Sequence, residues 1–340
     1  MKKNGIISRF MSAAFTLSVM LSVVMSCNKE PGLSGNSETI PLDLEPPSIK
    51  ATISSKASID GDNFPYSHTP YQVGLWLMLP ENKVTPQIRG FDNLKAEFLF
   101  ADGMNKWTYY PFGIEKEGET SLHILRQRSV DLYAYHPWVS GVDDITRIPF
   151  VSGEDDWMIA VPVHLSEEDT AGPLTRTLEF QHLMTCLEVR IQCKYEGSIT
   201  LTSMTLTDSK GRLVASGTFD CTSTDLSSAV TGESANTIVV SPKRNLRGGY
   251  WQSVYIIMPP VSGLDLSDKE MKLSFIFNNI EAETEFYLPP IMNVGGINQT
   301  INAFQRGHKY IYNLTLDNTM DFRPVGVEQQ WTNEIISLPI

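Results

Sequence analysis

The segment Phe180–Cys193, FQHLMTCLEVRIQC, limits what this chain can fold into more than any other stretch. Phe180, His182 and Met184 share one phase of a two-residue period, and Leu187, Val189 and Ile191 share the other. A period of two is that of a β-strand with one face against a core. The change of phase after Thr185 predicts either a β-bulge or a strand buried on both faces. Comparable runs recur at Tyr71–Leu79, Val130–His136, Asp156–Val163, Ile199–Leu206, Leu213–Phe219, Trp251–Met258, Met271–Phe277 and Lys309–Asp317. Ala96–Phe100 and Lys106–Tyr110 flank Ala101-Asp102-Gly103 as a hairpin with a long tip. No helical period persists beyond the N-terminus. Short strands separated by Gly, Pro, Asp and Asn clusters predict an all-β chain of β-sandwiches.

The 340 residues suffice for two domains of ordinary size. Residues 1–26 read as a signal peptide: Lys2, Lys3 and Arg9 precede the apolar run Phe10–Met25, which is short for a membrane span. Ser26-Cys27 at its end is similar to the lipobox of bacterial lipoproteins, so Cys27 is the candidate lipid-attachment residue and the precursor is expected on the outer membrane. Residues 27–47, rich in Gly, Pro, Ser and acids, read as a flexible tether. Residues 48–172 read as an N-terminal β-sandwich and 173–340 as a C-terminal one, with Thr170–Arg176 as the linker. Within the first, Ile49–Ile53 is the expected first strand, and Lys56 lies in the loop after it. The chain finishes on Trp331 and the apolar run Ile335–Ile340.

The formal net charge is -12, and without Lys2, Lys3 and Arg9 it moves to about -15. That balance disfavours nucleic acid and anionic lipid surfaces as partners. Cys186 and Cys193 are seven residues apart on one strand, roughly 20 Å along it and on opposite faces, so they do not bond to each other. Either can pair with Cys221, or all three are buried thiols.

Motifs for catalysis are missing from the sequence: there is no HExxH, no GxSxG, no phosphate-binding glycine loop and no paired histidines at metal spacing. The expectation is a protein that is not an enzyme and uses neither cofactor nor metal. His182 lies within an apolar strand face and reads as a core histidine with a satisfied partner rather than a ligand. Glu154-Asp155-Asp156 reads as solvated turn residues, with a calcium site as the alternative. Trp76, Trp107, Tyr109, Tyr110, Tyr133, Tyr135, Trp138 and Trp157 read as core and turn aromatics; the alternative is a sugar-binding groove on a surface-anchored glycan-binding lipoprotein.

Several of these residues form ordered signatures. Phe180-Gln181-His182 precedes its alternating strand; Gly307, Tyr310, Tyr312, Leu314 and Leu316 give a G-x-x-Y-x-Y-x-L-x-L strand; Trp331 follows Val327 near the end. Earlier, Trp107-Thr108-Tyr109 gives W-x-Y, and Leu132-Tyr133-Ala134-Tyr135-His136-Pro137 resembles an F-x-A-Y-Y-P strand, with Leu132 and His136 in place of the Phe and the second Tyr. Behind a lipobox, this set resembles the fimbrillin family of Bacteroidales, the lipoprotein-routed type V fimbrial subunits. The resemblance implies two tandem transthyretin-like β-sandwich domains. It also implies a cell-surface adhesion role, in a polymer of fimbrial subunits, with surface ligands of host or bacterial origin. In that family a protease cuts after the first strand, and a strand of another subunit fills the groove left behind. Carried over, Ile49, Ala51 and Ile53 form the displaced strand, and Lys56, or else Lys50, is the cut site where many members carry Arg. Ile335, Ile336, Leu338 and Ile340 form the candidate donor strand, the alternative being the last strand of the second sandwich.

Overall fold

The computed structural model describes residues 39–45, 48–49, 70–80, 82–86, 92–101, 104–110, 122–125, 128–171, 174–194, 199–278, 284–294, 297–317 and 322–330. Apart from two three-residue 3-10 turns, the regular elements among them are all strands, as the alternation predicts.

The first half opens with β1 (Thr39–Leu44) and β2 (Ser48–Ile49). It continues with β3 (Tyr71–Leu79), β4 (Asn82–Pro86), β5 (Leu94–Ala101), β6 (Met104–Tyr110), β7 (Leu122–Leu125) and β8 (Val130–His136). The short strands β9 (Ile148–Val151), β10 (Met158–Ala160), β11 (Val163–Leu165), β12 (Leu174–Arg176) and β13 (Glu179–His182) complete it. A large sheet runs β2-β13-β10-β8-β3-β5-β6, and a three-stranded sheet runs β12-β1-β7. Their facing side chains share one core: Leu42 and Leu44 from β1, Leu122 and Ile124 from β7, and Val73, Leu75, Phe98, Tyr109 and Leu132 from the large sheet.

The second half contains β14 (Thr185–Cys193), β15 (Ile199–Asp208), β16 (Leu213–Phe219), β17 (Val230–Ala235), β18 (Thr237–Val240) and β19 (Arg244–Leu246). Then come β20 (Trp251–Met258), β21 (Val261–Ser262), β22 (Met271–Phe277), β23 (Thr284–Tyr287) and β24 (Ile291–Val294). The last are β25 (Ile297–Thr300), β26 (Ala303–Phe304), β27 (Lys309–Leu316) and β28 (Phe322–Gln330). One sheet runs β20-β14-β27-β28-β24-β25 and a second runs β18-β15-β22-β23. Leu187, Val189 and Ile191 of β14, Tyr310 and Tyr312 of β27, and Leu206 and Phe275 of the second sheet meet in a second core.

The phase change at Thr185 is neither a bulge nor one continuous strand. β13 belongs to the large sheet of the first half, pairing Phe180 with Ala160, whereas β14 pairs with β20 and β27 in the second half. The chain changes sheets at Leu183-Met184, so each half of the pattern obeys the period of its own sheet. This also moves the crossing past the linker expected at Thr170–Arg176. That stretch carries β12, which pairs in parallel with β1. The expected strand Asp156–Val163 divides into β10 and β11, which both pair with β8 in the one large sheet, and the hairpin β5–β6 closes with Ala101 opposite Met104, a tighter tip than expected.

A third core joins the halves. Trp76 and Met78 on β3 and Tyr133 and Tyr135 on β8 point away from the first core, toward Phe150, Trp157, Met184, Phe219, Cys221 and Ile257. This is why β3 is nearly continuously apolar: both of its faces are covered. Gly74 lies opposite Tyr135, and a Cβ there would stand 2.1 Å from the ring carbon Cε1. β9, from the first half, pairs with β16 of the second, and Gly153 exchanges backbone hydrogen bonds with Ile257 on β20.

The two best-marked sequence signatures meet at the crossing. Gly307, at φ 69°, donates its N–H to the Met184 carbonyl at 2.7 Å. The His308 carbonyl accepts from the Cys186 N–H at 2.9 Å and from the Thr185 hydroxyl at 3.2 Å. His182 closes the other side, its Nδ1 lying 3.0 Å from the Asp156 carboxylate. Asp156 is therefore a buried partner of His182 rather than a solvated turn residue.

Two predictions follow from this packing. The Tyr310 hydroxyl donates to the Ala303 carbonyl and accepts from the Gln305 N–H, whereas the buried Tyr312 hydroxyl has no hydrogen-bond partner among the described residues. Tyr310→Phe should cost about 1–2 kcal/mol in urea unfolding, and Tyr312→Phe should be neutral or stabilising. Burial holds both His136 and His308 below the ordinary imidazole value, against the opposing effect of the hydrogen bonds that their Nδ1 atoms donate to the Gln72 and Arg306 carbonyls. The unfolded chain then takes up protons first as pH falls below about 6.5, so stability is full above that value and declines below it. Thermal unfolding should show Tm falling between pH 7 and 5, with a shallower slope for His136→Asn, whose amide can still donate to the Gln72 carbonyl.

Candidate functional site

β1 is the middle strand of its sheet. It runs antiparallel to β7, with Leu42 opposite Leu122, and parallel to β12, with Leu42 opposite Leu174. A middle strand has its backbone groups paired on both sides and leaves two open edges if it departs. Leu42 is fully buried and Leu44 nearly so, while Asp43 and Glu45 face outward. The alternation L-D-L-E therefore points two aliphatic side chains into the first core and two carboxylates toward water.

This location corrects the sequence reading. A strand at Thr39–Leu44 lies inside the stretch expected to be tether and ahead of the expected first strand Ile49–Ile53, of which only Ile49 is among the described residues. Pro41, Pro46 and Pro47 with four nearby acids give the segment the composition of a linker, which hides a short strand. Ile49 ends the two-residue β2, which pairs in parallel with β13 at the edge of the large sheet. Ala51, Ile53, Lys50, Lys56 and Cys27 lie outside the described residues, as do Trp331 and the tail residues Ile335, Ile336, Leu338 and Ile340.

The remaining candidates are accounted for by packing. Phe180 is fully buried in the first core, and His182, Gly307, Tyr310 and Tyr312 hold the crossing and the second core. Of the eight aromatics weighed as a sugar groove, Trp76, Trp107, Tyr109, Tyr133, Tyr135 and Trp157 are buried. Trp138 is half-buried and donates its indole N–H to the Asn93 carbonyl, and Tyr110 donates to Glu97. Cys186, Cys193 and Cys221 are buried, and burial pushes the Cys186 and Cys221 thiols up, away from the reactive thiolate form. Among the described residues no cluster of three or more His, Cys, Asp or Glu could hold a metal ion, and no helix is long and apolar enough to cross a membrane. The depressed carboxyls of Glu188 and Asp208 sit in structural ion pairs. Burial alone would raise the Asp208 carboxyl, but Arg212 holds it below the usual range, and Arg212 also bonds Glu270 at 2.8 Å.

Comparison with solved structures finds the same fold in candidate cell adhesion proteins. One from Bacteroides uniformis is 15% identical, with a TM-score of 0.54 over 88% of this chain and 100% of that one. Another from Bacteroides fragilis is 9% identical, with a TM-score of 0.52 over 89% and 100% of the two chains. No curated relative matches the chain. The family model described as fimbrillin-like matches residues 71–332, most of the chain, although β1 lies ahead of the matched span. The chain belongs to the fimbrillin-like family.

Proposed function

We propose that this chain is a non-catalytic fimbrial subunit, or a minor adhesive component of a fimbrium, that acts at the cell surface and assembles with other subunits by strand exchange. Family membership supports the fimbrial and adhesive role. The observation that carries the mechanism is the place of β1 between β7 and β12.

Loss of β1 would strip two neighbouring strands of their partners and uncover the pocket that Leu42 and Leu44 fill, each worth about 1.5–3 kcal/mol when fully buried. An emptied slot of this kind is a template for another strand, with backbone pairing supplying affinity and the aliphatic pockets supplying register. The candidate donor has the matching sequence pattern. Ile336, Leu338 and Ile340 repeat the spacing of Ile40, Leu42 and Leu44, with identical residues at the first two places. A proline in the donor is no obstacle in principle, since β1 itself carries Pro41. Head-to-tail exchange between copies gives a heterologous contact and an open filament.

Release of β1 requires a cut between it and β3, and the lysines in that interval are Lys50 and Lys56. Before the cut, acylation at Cys27 would hold the precursor at the outer membrane through its lipid; afterwards the body would leave its anchor. The glycan-binding alternative loses most of its platform, because the aromatics it would use are in cores.

The test uses the full-length precursor treated with a lysine-specific protease. The expected result is loss of the N-terminal fragment through Lys56, followed by ladders of oligomers on denaturing gels run without heating. Lys50→Gln/Lys56→Gln should stay intact and monomeric. A cut chain that keeps its fragment and remains monomeric would contradict the proposal.

A further inference from the structure

Glu45, the residue directly after β1, is held at three points. Its N–H donates to the Arg176 carbonyl at 2.9 Å, its carbonyl accepts from the Trp107 indole N–H at 3.0 Å, and its carboxylate accepts from the Thr177 hydroxyl at 2.6 Å. The first two contacts read the backbone, which any residue offers. The third reads the side chain and requires an acceptor of about the reach of Glu.

The surroundings of Trp107 make its donor a fixed one. The side chain is buried, its ring lies parallel to that of Tyr109 at 6.2 Å, and the Phe98 ring packs against it at 5.1 Å. Phe98 and Trp107 are also paired across the β5–β6 ladder. An indole clamped in this way does not follow a strand that slides. As Glu45 moves off, the indole N–H of the buried Trp107 loses its acceptor, a cost that opposes departure.

The aliphatic pattern of β1 does not supply this discrimination alone. Ile40, Leu42 and Leu44 repeat every second residue, so a slip by two residues that brings Leu42 to the place of Leu44 keeps aliphatic residues in phase with the core, whereas the opposite slip brings Pro46 there. Backbone ladders tolerate the same slip. A slip by two residues in one direction would bring Asp43 to the place of Glu45, with a shorter side chain; in the other direction it would bring Pro47, with no acceptor side chain and no N–H for the Arg176 carbonyl.

We infer that Trp107 and Thr177 form a latch on Glu45, Trp107 holding its backbone and Thr177 reading its side chain, that fixes the register of β1 in its groove and sets the rate at which β1 leaves. The inference rests on the strand-exchange reading of that groove and adds to it a control on retention. A replacing strand meets the same latch. It is discriminated by whether it presents an acceptor side chain one residue beyond its last inward aliphatic residue. The latch therefore distinguishes strands that the apolar pockets alone would treat alike.

The experiment measures exit of the N-terminal fragment from the full chain cut after Lys56, using an excess of a fluorescent synthetic peptide of residues 36–49 as the competitor strand. Exchange is followed by anisotropy. Thr177→Val, at an exposed position that should not disturb folding, and Glu45→Ala should each speed exit about 3- to 10-fold. The double variant should be no faster than either single one, because both remove the same bond. Trp107→Phe, which keeps a packed ring and removes the donor, should speed exit about tenfold. Glu45→Gln, which keeps an acceptor oxygen, should stay within about twofold of the unsubstituted protein. If the peptide exchanges in every protein at one common rate, the latch is refuted while strand exchange stands. If no fragment leaves in any of them, strand exchange itself fails and the latch falls with it.

Discussion

A strand in the middle of a sheet is held by two ladders at once, and its backbone can be satisfied only while both neighbours remain in place. β1 occupies such a position with few residues, between two strands that are themselves short. The three-stranded layer it completes is one of the two walls of the first core. Without it, β7 and β12 have no common partner and the pocket for Leu42 and Leu44 opens to water. The same strand is covalently the most separable part of that core, since it lies ahead of every other described strand. Structural necessity and chemical separability coincide there, and this makes exchange for an equivalent strand a physically coherent reading.

Exchange of one wall is tolerable only if the rest of the body holds its shape. The third core supplies that rigidity. β9 crosses from the first half to pair with β16, Gly153 bridges to β20, and Trp76, Tyr135, Phe150, Phe219 and Ile257 fill the space between. The outer face of β3 and β8 is thereby anchored on the second half independently of β1. The signatures around Phe180 and Gly307 have a common physical meaning in this setting. Distant in sequence, they meet where the chain passes from one sheet to the other, with Gly307 supplying an N–H to Met184 and His308 a carbonyl to Thr185 and Cys186.

Much of this was readable from residue patterns, and the exceptions have identifiable causes. Long alternating runs such as Ile199–Leu206, Trp251–Met258 and Lys309–Leu316 became strands because enough residues repeat to define a face. β1 and β12 escaped notice because each offers few residues, and prolines and acids flank the first. Composition reports whether a segment could fold alone; it is silent on whether the segment is completed by partners far along the chain. The phase change at Thr185 was visible, but a period cannot tell a bulge from a change of sheet. Asp156 looked like one of three turn acids, and only the approach of His182 from β13 distinguishes it. The Glu45 contacts were hidden for a related reason: Trp107 and Thr177 reach it from separate strands and loops, with no local signal in the sequence.

The most direct measurement of the central claim is hydrogen–deuterium exchange on the precursor before and after cleavage between β1 and β3 and removal of the released fragment. The account predicts that amides of β7 and β12 lose protection when the fragment is gone, and regain it when a β1-like strand is added. Amides of β14 and β27, in the second half, should stay protected throughout. Unchanged protection of β7 and β12 after loss of the fragment would contradict the account, as would a collapse of protection across both halves.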